Sequence, residues 1–178
     1  DHLRGARRDA RLHEVVIALG VEMLMLGALA ASREEARAKL EGAVSSGAAA
    51  ERFAKMVVGL GGPADILERP ARHLAQAPVV VEARATRSGL VSAIDVRALG
   101  LAVVALGGGR RRAGDSIDPS VGLSGLLPLG ADVGRKPLAR IHARDASAAA
   151  AGAEFVRRAY GIEDVAPVIG PAVIEDIA

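Results

Sequence analysis

Apolar residues recur in this chain with two different periods, and the changeover falls at the proline-punctuated stretch "ERPARHLAQAP", residues 68–78. Ahead of it the spacing is helical. The run "LHEVVIALGVEMLMLGALAA", Leu12–Ala31, is apolar on nearly every face and carries Gly20 and Gly27 seven apart, so it reads as a helix with neighbours on several sides. Ser32 followed by Glu35 is a capping box that opens a second helix, stopping near Gly47, and a third is expected over about Ala48 to Val58. After the changeover the period shortens to two. "VVVEARATRSGLVSAID" predicts two short strands around Arg87-Ser88-Gly89, Asp95 is placed to cap the helix "VRALGLAVVALG", and "VGLSGLLPLGADVGRKPLARIHA" has the rhythm of a hairpin. Asp145 is placed to cap an alanine-rich helix running to about Tyr160, with Gly161 as its stop. A chain that changes period once folds as α+β in two parts. The expected division is a helical part over residues 1–75 and a mixed α+β lobe over 76–178, its sheet built from Val79–Ala83, Leu90–Ile94 and a Leu126–Ala143 hairpin, with Val173–Ile177 as a further candidate strand.

Composition narrows the functions open to such a fold. Hydrophobic residues make up 51% of the 178, yet aromatics make up only 2%, so the core is aliphatic and platforms for stacking bases are nearly missing. That argues against a nucleic-acid partner despite a sequence pI near 9.5, because single-strand binders lean on aromatic rings. The formal net charge is only +2, and arginines alternate with acids in stretches such as "SREEARAKLE", as on a solvated surface. No cysteine is present, which removes disulfide and thiolate chemistry and fits a cytoplasmic location. No membrane association is expected either: Glu22 interrupts the longest apolar run before it reaches the ~18 residues of a spanning helix. The opening "DHLRGARRD" reads as the end of a helix already under way, so a piece of a longer protein is expected, with an apolar face of the first helices left exposed.

The stretch "GGGRRRAGDS", Gly107–Ser116, comes within one residue of a phosphate-binding loop. A P-loop needs lysine where Asp115 stands, and it needs a strand before and a helix after, whereas this stretch follows a helix. Its glycines are read instead as a helix stop, and Arg110, Arg111 and Arg112 as partners of Asp115 and Asp118 or as solvated groups. A sharper reading gives one of these arginines a part in orienting the lobe. Ser116 and Asp118 are turn and cap residue types, and no Ser/His/Asp or paired-carboxylate set is defensible from spacing. His2, His13, His73 and His142 are scattered without a second ligand type at metal spacing, so each is expected to be a core or surface histidine.

Two resemblances remain. The "GADVGRKPLARIHA" segment is similar to the hairpin of biotinyl and lipoyl carrier domains, which implies a barrel-like sheet; Lys136, beside Pro137, does not stand at a hairpin tip, so carrier activity is not expected. Over nearly the whole chain, "DVRALGLAVVALGGGRRRAGDSIDPSVGL" with "PLARIHARD", "LGVEMLMLG" and "ARAKLEGAVSSGAAAERFAKMV" resembles the C-terminal part of the thymidine and pyrimidine-nucleoside phosphorylases. The resemblance implies the closing helices of a large α/β domain followed by a C-terminal lobe of a homodimeric pentosyltransferase. Its substrates would be a pyrimidine deoxynucleoside and inorganic phosphate, with no cofactor and no metal at this chain's residues. The family's S-G-R and T-G-G-T-x-D elements do not occur here, so the resemblance assigns no catalytic and no substrate-binding residue to residues 1–178, and the chain alone is expected to be inactive.

Overall fold

The computed structural model describes residues 1–173. They form two compact units, one of residues 1–73 joined by the stretch from Gly170, the other Leu74–Ile169.

In the first unit, helix α1 runs Ala10–Leu26. Asp9 starts it by accepting the Leu12 N–H at 2.9 Å, and the residues before it form turns, so "DHLRGARRD" is not the end of a helix. The helix also ends earlier than the apolar run does. Ala28 turns left-handed at φ 52°, and the Leu29 N–H returns to the Leu24 carbonyl at 2.9 Å while the Ala28 N–H reaches Met25. This is a Schellman closure with alanine at the residue usually occupied by glycine. Gly20 does the packing that the sequence suggests, since a Cβ there would lie 2.8 Å from Leu40 Cδ1, whereas Gly27 serves in the cap of α1. Helix α2, Arg33–Ser45, opens on Ser32, whose Oγ accepts the Glu35 N–H at 3.2 Å; the Glu35 carboxylate reaches back to the Ala31 N–H. Gly47, at φ 83°, turns the chain into α3, Ala48–Gly59, and a single turn, α4, spans Pro70–His73. The core here is small: Ile17, Val21 and Ala36, with Leu24, Met25, Ala30 and Leu40 against it. The opposite side of α1 is uncovered, with Leu12, Val16, Leu19, Met23 and Leu26 exposed by 41–87% at spacings of four and three residues.

The second unit is α+β. Strands β1 (Val79–Ala83) and β2 (Leu90–Ile94) lie where the alternation puts them, followed by α5 (Val96–Leu106), β3 (Gly122–Ser124), β4 (Ala139–Ala143), α6 (Ala146–Ala159) and β5 (Tyr160–Glu163). Asp95 and Asp145 cap α5 and α6, accepting from Ala98 and Ala148. The strands make two open antiparallel sheets, β1-β4-β3 and β2-β5. Helix α6 covers the first sheet and packs on α5, burying Ile141, Val156, Leu138 and Val91 completely.

The pairing differs from the expected hairpins. β1 and β2 flank Arg87-Ser88-Gly89 but join different sheets, because Gly89, at φ 133°, passes so close under β5 that a Cβ would lie 2.8 Å from the Glu163 carbonyl oxygen. In place of a Leu126–Ala143 hairpin, β3 is the strand that pairs with β4, and residues 125–138 form a long loop between them. Pro128 and Pro137 supply no N–H in that loop, and Gly125 and Gly130 take positive φ. The loop lies along β2 instead, its Ala131 carbonyl accepting the Val91 N–H at 3.0 Å. No closed barrel forms among the described residues, so the barrel-like expectation gives way to two open sheets. Tyr160, expected to end a helix, opens β5. Of the candidate strand Val173–Ile177, Val173 is not in a strand and the rest lies outside the described residues.

Candidate functional site

The glycine-arginine loop of the second unit is the one stretch whose sequence suggested a ligand. Gly107, at φ 103°, ends α5, with its N–H on the Val104 carbonyl and that of Gly108 on Val103 at 3.0 Å. Gly108 and Gly109 then fold back on the last turn of α5: a Cβ on either would come within 2.9 Å of Val103 or Val104. The Asp115 carboxylate accepts the main-chain N–H groups of Arg111 and Arg112, both at 3.0 Å, and Arg110 Nε donates to the Asp115 carbonyl at 3.2 Å. The two N–H groups that would face a phosphate are therefore turned onto the chain's own carboxylate. The P-loop reading fails on geometry as well as on sequence. Of the two readings of the arginines, the solvated one fits their exposure, while the Asp115 carboxylate holds the main chain of Arg111 and Arg112 rather than an arginine side chain.

Asp118 closes the loop. Its N–H donates to the Gly107 carbonyl at 3.0 Å, and its Oδ1 accepts the Ser120 hydroxyl at 2.6 Å and the Ser120 N–H at 2.9 Å. Those two donors, with Arg144 nearby, hold its carboxyl below the usual aspartate range. Asp118 thus fastens a turn, as its residue type suggests, and Ser116 stands exposed.

The histidines take separate partners: His13 lies on Glu41 at 3.0 Å, His73 on Asp65, and His142 on the Ser124 hydroxyl at 2.7 Å. Among the described residues no group of three or more His, Asp or Glu side chains is placed to hold a metal ion. Lys136 is exposed in the loop before β4 rather than at the tip of a tight hairpin. Under that loop, Ile94, Val96, Leu99, Val103, Leu127 and Tyr160 line an open cavity of about 420 Å³. The Tyr160 hydroxyl is already committed to the Leu127 and Leu138 carbonyls at 3.1 and 3.2 Å, so this cavity holds apolar surface and no acid, base or nucleophile. In the first unit a cavity of about 290 Å³ is lined by Glu22, Arg33, Glu34 and Arg37; Arg33 is paired with Glu22 there.

Residues 90–163, which hold this loop, match the family described as "Pyrimidine nucleoside phosphorylase C-terminal domain". Thymidine phosphorylases of Burkholderia orbicola and Burkholderia cenocepacia are each 57% identical to the chain over 165 residues, covering 92% of it and 38% of their own length. One from Burkholderia lata is 57% identical over 161 residues, or 37% of its length. The chain therefore spans less than two fifths of the curated relatives it matches. Residues 90–163 thus carry the pyrimidine nucleoside phosphorylase C-terminal domain, and over 92% of its length the chain is similar to proteins named thymidine phosphorylase.

Proposed function

We propose that the chain is the C-terminal part of a thymidine phosphorylase, which transfers the 2-deoxyribosyl group of thymidine to inorganic phosphate. In that reaction the bond from C1′ to the thymine nitrogen breaks, its electron pair leaves with the base, and a phosphate oxygen forms the new bond to C1′, giving thymine and 2-deoxyribose 1-phosphate. The reading is carried by one observation, the 57% identity over 165 residues to proteins of that name.

Such a reaction needs phosphate and nucleoside held together in attack geometry, with donors aimed at the charge that develops on the base. The Gly107–Ser120 loop supports a structural part for this lobe, since the N–H groups of Arg111, Arg112 and Ser120 are held by the loop's own Asp115 and Asp118. Phosphate and base clamps then belong to the portion that the relatives have and this chain lacks, and the uncovered stripe on α1 is a surface on which that portion can pack. A homodimer working in the cytoplasm completes the proposal. Because the matching domain is described for pyrimidine nucleosides in general, uridine is the substrate to compare with thymidine.

The test is base release from thymidine and from uridine in phosphate buffer, by the 178-residue chain and by its fusion to the unmatched part of the Burkholderia orbicola relative. The fusion is expected to release thymine and the chain alone none. A folded, inactive fusion would overturn the assignment of the activity, and turnover by the chain alone would overturn the division of labour.

A further inference from the structure

The chain passes from the first unit to the second between His73 and Leu74, and it is barely held there. Residues 71–76 are all exposed, and residues 74–78 are in neither helix nor strand. Among the described residues no main-chain hydrogen bond engages 74–78. Just ahead stands α4, a single turn with no buried residue, fastened by the Arg72 N–H on the Arg69 carbonyl at 3.0 Å and by His73 on Asp65. One turn of helix is marginal, since it gains few bonds for the torsions it fixes. The two cores lie wholly to either side: Ile17, Val21 and Ala36 precede the junction, and the buried cluster from Ala83 to Tyr160 follows it.

We propose that the Arg72–His73 bond is a processing site, cut by a protease whose pocket takes a basic side chain. Such an enzyme binds its substrate as an extended strand, so a bond is open to it only where the surrounding chain straightens at small cost. Hydrolysis breaks the bond from the Arg72 carbonyl carbon to the His73 nitrogen; water gives its hydroxyl to the carbon and a proton to the nitrogen. Arg69 is passed over because Pro70 follows it. Arg87 sits in the short connection between β1 and β2, and Arg135 in a loop whose Leu127 N–H is bonded to Leu138, itself bonded to Ala83, so straightening either would pull at the strands. Arg111 and Arg112 give the sharpest contrast. They are exposed like Arg72, yet the Asp115 carboxylate holds both their N–H groups. Exposure alone therefore does not select the site; an unbraced main chain does. A cut at Arg72 divides neither buried cluster and leaves the matched domain at 90–163 whole.

The experiment digests the folded full chain with a small amount of trypsin and follows the product masses over time. The first cut between Ala10 and Ile169 is expected after Arg72, with cuts after Arg111 and Arg112 about 10- to 100-fold slower, the difference two hydrogen bonds make to the population of the open form. Cuts ahead of Ala10 only shorten the turns before α1. Arg72→Lys should keep the cut and Arg72→Gln should remove it, while a protease that cuts ahead of large apolar residues should still open the Gln variant at Leu74. Asp115→Ala should speed cleavage after Arg111 and Arg112 and leave the rate after Arg72 unchanged. Circular dichroism of each variant shows that folded chains are being compared, and the wild-type digest gives the answer even where a variant fails to fold. A first internal cut at any other residue overturns the proposal. So does cleavage after Arg72 that begins only at urea concentrations where the helical signal is lost, because the junction would then open only with the units themselves.

Discussion

Replacing Ala28 by glycine should stabilise the helical unit, although it removes a methyl group. Ala28 holds φ 52° on the surface, at the closure of α1, where the Leu29 N–H returns to Leu24. A left-handed conformation costs an L-residue about 1–2 kcal/mol, because Cβ crowds the following carbonyl. Glycine loses that strain but returns about 0.4–1 kcal/mol as extra freedom of the unfolded chain. The net gain for Ala28→Gly is then about 0.5–1 kcal/mol. Ala28→Val should go the other way, since a β-branched residue at positive φ is strained further. Urea unfolding followed by far-ultraviolet circular dichroism reads both. In thermal unfolding a cooperative unit of 60–100 residues moves by ~4–8 °C per kcal/mol. A glycine variant less stable than wild type, or a valine variant equal to it, would refute the argument from backbone strain.

Gly89→Ala should lose on the order of 3 kcal/mol in chemical unfolding, because φ 133° and a main-chain oxygen 2.8 Å from the new Cβ leave nowhere to relax. Gly100→Ala, in the exposed interior of α5 with open space around it, should instead gain ~0.5–1 kcal/mol, so the same added methyl has opposite signs at the two sites. Tyr160 is the sole tyrosine, and burial raises its phenol pKa above the ordinary 10.0 against the opposing bond to Leu127. The unfolded chain therefore ionises first, and stability should fall as pH rises above about 10; phenolate absorbance should appear with unfolding and not before it. At the acid end, Asp118 is held low by its Ser120 hydrogen bonds, so its contribution is present above the ordinary aspartate range and is lost as pH falls through the lowered value. Asp118→Asn should flatten that part of the acid profile, measured as the urea midpoint against pH.

Local signals were legible where a side chain bonds its own backbone. Asp95 and Asp145 cap helices because a carboxylate three residues ahead of an N–H can hardly do otherwise, and Val79–Ala83 alternates because one face of it is inside. Pairing was not legible, because it is decided by what lies across the sheet rather than along the strand. Nothing near Arg87 announces that β2 pairs with β5, since the clue is the close approach of Gly89 to Glu163, a contact between distant parts of the chain. The end of α1 was hidden for a related reason: the glycine that usually marks such a closure is an alanine here. At the loop, the sequence excluded a phosphate cradle through Asp115, but it did not show that Asp115 grips the main chain of Arg111 and Arg112 rather than their side chains.

The partnership of β2 with β5 also sets an order of events on the ribosome. Synthesis runs at roughly 5–20 residues per second, and each stretch can pair only once its partner has left the exit tunnel. β1 must wait for β4, and β2 must wait longer, until Tyr160–Glu163 emerges behind the whole of α6. Until then β2 presents the apolar sequence "LVSAI" on an unpaired border, a ready template for another nascent chain. A message truncated just ahead of Tyr160 would therefore yield a product prone to aggregation rather than a slightly shortened lobe.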